Sequence, residues 1–175
     1  YIESERNLLY GRIRLKKRSL LVVAFSAALF VSSFGQITNH VVISEVFGGG
    51  GNSGATLKFD FIELYNPTDS IVTVDGWSVQ YASGTGTTYQ VSNLQGAIAP
   101  KSFYLIQEAQ GAGGTQDLPT PDAIGTISMS STAGKVALVK KTEPIASVTD
   151  PDVIDFVGYG SSATLYEGTG PTPSP

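Results

Sequence analysis

The chain has 175 residues, 41% of them hydrophobic, enough for one domain with a substantial core and too few for two comfortable ones. It holds no Cys, one His and one Met, which excludes disulfide scaffolds, Cys-based zinc sites and Cys nucleophiles together. The formal charge is −4, but six of the eleven Lys and Arg residues precede Ser19, so the balance differs sharply along the chain. The 20 Gly and 9 Pro follow no period, which marks a turn-rich globular chain rather than a fibrous one.

Residues 1–35 read as a secretory signal peptide with an upstream extension. Arg12, Arg14, Lys16, Lys17 and Arg18 form a basic cluster, Ser19 to Val31 is an apolar run, and Ser33 and Gly35 are small residues placed for cleavage before Gln36. The apolar run falls short of the roughly 20 residues a bilayer core requires, which favours a cleaved signal over a membrane anchor. From Gln36 onward there remain five Lys, no Arg and thirteen Asp plus Glu, a formal charge of −8. Binding to a phosphate backbone needs clustered cations, so direct nucleic-acid binding is not expected.

Val41 to Phe47 reads as a first strand, β-branched and apolar on both faces. It runs into Gly48-Gly49-Gly50-Gly51-Asn52-Ser53-Gly54, which lacks the Lys-Ser/Thr pair and following helix of a phosphate loop and is expected to be a flexible loop with positive-φ positions. Asp60 to Tyr65 predicts a central strand with Ile62 and Leu64 on one face and Phe61, Glu63 and Tyr65 on the other. Glu63 is expected to be a buried carboxylate tying backbone or hydroxyl groups together, and Asp60 to mark the start of the strand. Asn66 to Ser70 has turn residues, Ile71 to Val74 is a short strand, and Asp75-Gly76 makes a tight reversal. In the following strand Trp77, Val79 and Tyr81 are expected to face the core and Ser78, Gln80 and Ala82 to face water.

These three segments, Val42 to Val46, Asp60 to Asn66 and Val74 to Val79, resemble the lamin tail domain family. The resemblance is to its bacterial secreted branch, with the glycine-rich loop and the later segments 125–130 and 133–139, and it extends from about Val41 to about Pro171. It implies an immunoglobulin-like β-sandwich over residues 36–171. The residue pattern leads to the same class: Thr87 to Val91, Phe103 to Gln107, Lys135 to Val139 and Val153 to Phe156 and Val157 are further strands, parted by Gly, Pro, Ser and Asp, with no amphipathic helix among them. The Gly- and Pro-rich segment from Gln107 to Thr126 is expected to be a mobile loop. The resemblance also implies a closing strand beyond Gly168-Thr169-Gly170-Pro171, so residues 172–175 read as the start of a linker or of a truncated closing segment.

Catalytic chemistry is thinly written. A Ser-His pair would need His40, near the expected mature N-terminus, and no Gly-x-Ser-x-Gly elbow occurs. Asp60 and Glu63 fall on opposite faces of a strand and cannot readily share a substrate. Asp150, Asp152 and Asp155 lack the spacing of a Ca²⁺ loop and read as a solvated turn. Trp77 and Tyr81 could form a carbohydrate platform, although an alternating Trp-Val-Tyr face in a sandwich is usually core. No catalytic, cofactor or metal-binding residue is therefore expected, and Asp60, Glu63, Asn66, Gly76 and Trp77 are expected to be structural. The expected function is a secreted, extracellular, non-catalytic binding, attachment or scaffold module of a longer bacterial protein. Its partner would be a cell-surface or polysaccharide ligand, or a catalytic domain in the same polypeptide. The alternatives are an accessory domain of an extracellular metal-dependent nuclease or phosphoesterase, and a self-associating envelope module.

Overall fold

The computed structural model describes residues 38–175; the predicted signal peptide lies outside the described residues. The described part is all-β, with strands β1 (Val42–Phe47), β2 (Phe59–Tyr65), β3 (Val72–Thr73), β4 (Ser78–Ser83), β5 (Gln90–Asn93), β6 (Ala97–Ile98), β7 (Phe103–Gln110), β8 (Ala123–Ile124), β9 (Gly134–Val139) and β10 (Val153–Tyr159). One sheet has the order β1-β2-β7-β8, the other β10-β9-β4-β5, and β3 pairs with β6 in a small third sheet. Ladders within the two large sheets are antiparallel except for the short parallel pair β7·β8. Residues 42–47 of β1 carry a bulge at Ser44, where the register with β2 slips between Ile43 and Glu45.

The two large sheets enclose a core to which Ile43, Ile62, Leu64, Tyr104 and Ile106 contribute from one side and Val79, Tyr81, Val136, Leu138 and Tyr159 from the other. This is the two-layer β-sandwich expected of such a strand pattern. Burying the alternate residues of each strand removes apolar surface from water at about 25 cal/mol per Å², the main force holding the layers together.

Three expectations are corrected. Ser78, Gln80 and Ala82 do not face water: all three are buried, because residues 140–153 fold over the outer face of β4 and β9. Gln80 explains how: its Oε1 accepts the Ile145 N–H at 2.8 Å and its Nε2 donates to the Glu143 carbonyl at 2.9 Å, while the Ser78 hydroxyl donates to the Lys141 carbonyl. Under this cover Ala82, Ala137, Val139, Ile145 and Phe156 make a second apolar cluster. The polar side chains of β4 thus hold a loop rather than water.

Secondly, residues 107–126 are not one long loop. Strand β7 continues to Gln110, and beyond it Gly111, Gly113, Thr115 and Gln116 donate N–H groups to carbonyls of Lys58, Gly51 and Thr56 before the chain returns as β8. Thirdly, the glycine run after β1 is packed. Gly51 and Gly54 do take positive φ (65° and 84°), but Gly48, Gly50 and Gly51 are buried, and a Cβ on Gly50 would overlap the Phe59 backbone. Close approach to β2, rather than freedom, requires glycine there.

Candidate functional site

Two places in the sandwich gather polar groups: its interior beside residues 125–130, and the side where the edge strands β1 and β10 meet. In the interior, Asp60 and Glu108 project inward from β2 and β7, adjacent strands of one sheet. Asp60 lies on the same strand face as Ile62 and Leu64, so it is buried at 4% exposure, and it accepts the Gly50 N–H at 2.9 Å and the Met129 N–H at 2.8 Å. Glu108, at 1% exposure, accepts the Ile127 N–H through Oε2 at 2.8 Å and the Ser92 hydroxyl at 2.9 Å. Ser92 belongs to β5 of the opposite sheet, so this bond ties the layers together. Residues 125–130 lead from β8 of one sheet to β9 of the other, held at their start to β7 by the Gly125 N–H on the Gln107 carbonyl and the Ala109 N–H on the Ile127 carbonyl. Their inward N–H groups, at Ile127 and Met129, are satisfied by these two carboxylates, and further along Tyr81 Oη accepts the Ser130 N–H while Tyr159 Oη donates to the Ser130 carbonyl.

The electrostatics follow from burial. Removal from water pushes the Glu108 carboxyl up to about 7, opposed by the Ser92 hydroxyl and the Ile127 N–H and assisted by the Asp60 charge. Its Oε1 has no hydrogen-bond partner among the described residues. Asp60 is also raised by burial, with its two backbone N–H partners pulling the other way. Lys135, buried on β9, donates to the Gly86 carbonyl and the Thr164 hydroxyl, and loss of water lowers its pKa.

The residues singled out in the sequence divide accordingly. Glu63 is not the buried carboxylate: it lies half-exposed on the outer face of β2, opposite Glu45, and accepts the hydroxyl of the bulged Ser44 at 2.8 Å. The buried acid of that strand is Asp60, and the two are on opposite faces. Asn66 is fully buried; its Nδ2 donates to carbonyls of Ser70, Ile98 and Ala99, and its Oδ1 accepts from Thr68. Gly76 takes φ 76° in the reversal closed by the Trp77 N–H on the Val74 carbonyl. Trp77 is half-buried against the core with the Lys140 ammonium 5.5 Å from its ring centroid, which leaves its face covered rather than open as a platform. His40 Nδ1 meets the Val41 carbonyl. Asp150 pairs with Lys141 at 2.5 Å, and Asp155 stands apart from it, accepting the Ile43 N–H of β1 at 2.6 Å.

That last bond marks the second place. β1 and β10 are edge strands of different sheets lying side by side, and Asp155 bridges them. Between them runs a cleft with two lobes that share Ile43, Val157 and Thr172. One lobe, about 290 Å³, has Val46 and Tyr159 in its wall and Glu45 at its rim; the other, about 300 Å³, opens along Asp155 to Gly158 and is rimmed by Glu167. The floor is apolar and the rim acidic. The chain beyond Pro171 enters here: the Thr172 N–H donates to the Gly158 carbonyl and the Thr172 carbonyl accepts the Gly160 N–H, in a parallel bridge to Tyr159.

Glu108 and the cleft both escaped the sequence reading. The signal for Glu108 is present, since Tyr104, Ile106 and Glu108 alternate, but the strand expected from the sequence stops at Gln107, three residues short of its end at Gln110. A family model described as Lamin Tail Domain matches residues 36–161. No curated protein matches the chain.

Proposed function

Because the chain belongs to the lamin tail domain family, we propose that it is a secreted, non-catalytic attachment or recognition module of a longer bacterial extracellular protein, contacting its partner through the β1–β10 cleft. The cleft is the observation that carries this reading: it joins an open apolar floor to strand edges and an acidic rim. The buried carboxylates are occupied elsewhere, since Asp60 and Glu108 bind backbone N–H groups of their own chain. The partner is a cell-surface ligand or another domain of the same polypeptide. Direct nucleic-acid binding is disfavoured by the charge of −8 from Gln36 onward, which repels a phosphate backbone.

The test has two parts. Expression of the full chain in a secreting bacterial host should yield extracellular protein beginning at Gln36 by mass spectrometry; retention in the cytoplasm with an intact N-terminus would overturn the secreted reading. The purified product should leave DNA and a chromogenic phosphodiester unchanged with Mg²⁺, Mn²⁺ or Zn²⁺ present. Turnover abolished by Asp60→Asn would instead make the interior carboxylates catalytic and overturn the module reading.

A further inference from the structure

Lys135 is a buried charge without a counter-charge. Val136 and Leu138 point into the core, so alternation along β9 sends Lys135, with Ala137 and Val139, to the outer face of the second sheet, where Lys135 is 2% exposed. Lys58, Lys101 and Lys141 each pair with an Asp and Lys140 lies over Trp77, but no Asp or Glu oxygen of the described residues comes within 4.0 Å of Lys135 Nζ. The deepest lysine is thus the one left unneutralised, and a buried charge is costly unless it is paired. Two of its three N–H donors are used, on the Gly86 carbonyl at 2.6 Å and the Thr164 hydroxyl at 3.2 Å. The third has no partner among the described residues. Gly86 and Thr164 line a cavity of about 110 Å³ together with Lys135, Thr87, Tyr89 and Ser147, which places the ammonium in its wall. Tyr89 is a second buried polar side chain there: it is 5% exposed, and its hydroxyl has no hydrogen-bond partner among the described residues. Burial alone raises its pKa, so it stays a donor at neutral pH. Bracing the loop after β4 accounts for two donors of Lys135. It leaves the third, the Tyr89 hydroxyl and the cavity without a role.

We propose that this cavity binds the carboxylate of a small organic acid, held by Lys135 Nζ and the Tyr89 hydroxyl. It shares no lining residue with the β1–β10 cleft, so the site stands apart from the contact surface proposed above. One cation beside open donors matches a monoanion with two acceptor oxygens, and the bond from the ammonium is charge-assisted. A phosphate dianion would leave one charge uncancelled in a domain whose formal charge from Gln36 onward is already −8. At about 30 Å³ per water molecule the cavity has room for roughly four waters, the size of an acetate or lactate ion. Leu165, 44% exposed, borders the same cavity and offers an apolar contact to the short alkyl part of such an acid. Thr87 adds an exposed hydroxyl for a substituent of the acid.

The test uses protein purified after expression of the full chain, ¹⁵N-labelled, and titrates it at constant ionic strength with three probes: sodium lactate, neutral lactamide and inorganic phosphate. Lactate should shift the amides of Gly86, Thr87, Tyr89 and Lys135 saturably and bind about tenfold or more tightly than lactamide, which has the same shape without the charge. Phosphate should bind at least roughly threefold more weakly than lactate. Tyr89→Phe keeps the ring and removes only the hydroxyl, so it should retain the melting temperature of the free protein and lose roughly threefold or more in lactate affinity. Lys135→Met keeps the aliphatic stem and should abolish saturation; if that variant does not fold, Tyr89→Phe decides alone. Lactate should also raise the melting temperature of the wild type in proportion to its occupancy, and less so that of Tyr89→Phe. Shifts that do not saturate or fall on other segments, lactamide binding as tightly as lactate, or an unchanged affinity in Tyr89→Phe would overturn the proposal and leave Lys135 a brace for its loop. Phosphate binding as tightly as lactate would overturn the assignment of a carboxylate.

Discussion

Replacing Glu108 by Gln should change how the stability of the domain depends on pH. The carboxyl is displaced from 4.5 to about 7 by burial. Its protonated form is favoured in the fold, so its contribution is fully present below pH 4.5 and is lost as pH rises through about 7. Converted at 1.36 kcal/mol per pH unit, the displacement amounts to roughly 3 kcal/mol by pH 9. For a domain of this size that corresponds to a fall in Tm of about 10 °C. Gln keeps an acceptor for the Ile127 N–H and the Ser92 hydroxyl but cannot ionise, so the variant should lack this component of the decline between pH 4.5 and about 7. Its amide donors lie where Oε1 now finds no partner, which should cost it about 1–3 kcal/mol at acid pH. The two melting curves should therefore cross: wild type higher at pH 5, the variant higher at pH 9. Differential scanning calorimetry at half-unit steps between these values measures the difference directly, and subtracting one profile from the other removes titrations common to both proteins, including those of Asp60 and Glu167. Parallel profiles would refute the assignment of a buried, proton-binding Glu108.

Three further outcomes follow from the same contacts. Asp60→Ala leaves the Gly50 and Met129 N–H groups unpaired in the interior and should cost about 2–5 kcal/mol in urea unfolding, whereas Glu63→Gln and Glu63→Leu should each stay within about 1 kcal/mol because that carboxylate meets only an exposed hydroxyl. Gly125→Ala would drive a Cβ into the Ser92 hydroxyl and Glu108 Oε2; losing the Ser92 bond should carry the decline to higher pH than in the wild type, read from the same calorimetric series. Gly50→Ala, which overlaps the Phe59 backbone, should lower the yield of folded protein more than Gly54→Ala, where nothing lies near the added Cβ, as measured by soluble expression and near-ultraviolet circular dichroism.

The strands with a hydrophobic period were legible, and the family followed from their motifs. Alternation along Asp60 to Tyr65 also contained the answer to which carboxylate is buried. Once Ile62 and Leu64 are assigned to the core, Asp60 must accompany them; the large neighbours of Glu63 drew attention to the wrong face. β6 and β8 are two residues long and carry no period to detect. The burial of Ser78 and Gln80 was illegible for another reason. Polar side chains on a strand ordinarily face water, and nothing local to β4 announces that residues 140–153, more than sixty positions away, supply the covering backbone. The cleft was hidden because it depends on which two strands end up as neighbouring edges, a property of topology rather than of any one segment.

Asp60 and Glu108 grip the crossing chain at Met129 and Ile127, two residues apart, while Thr126 and Ser128 between and before them are exposed. The crossing is thereby gauged like a ruler with two fixed marks. Substitutions at 126 and 128 leave the marks where they are, whereas a single inserted or deleted residue between 125 and 130 misaligns at least one of them. Lengthening is better absorbed by the exposed turn at Asn52 to Gly54, which no buried carboxylate measures. Variants of this domain should accordingly differ freely in the composition of the crossing and hardly at all in its length.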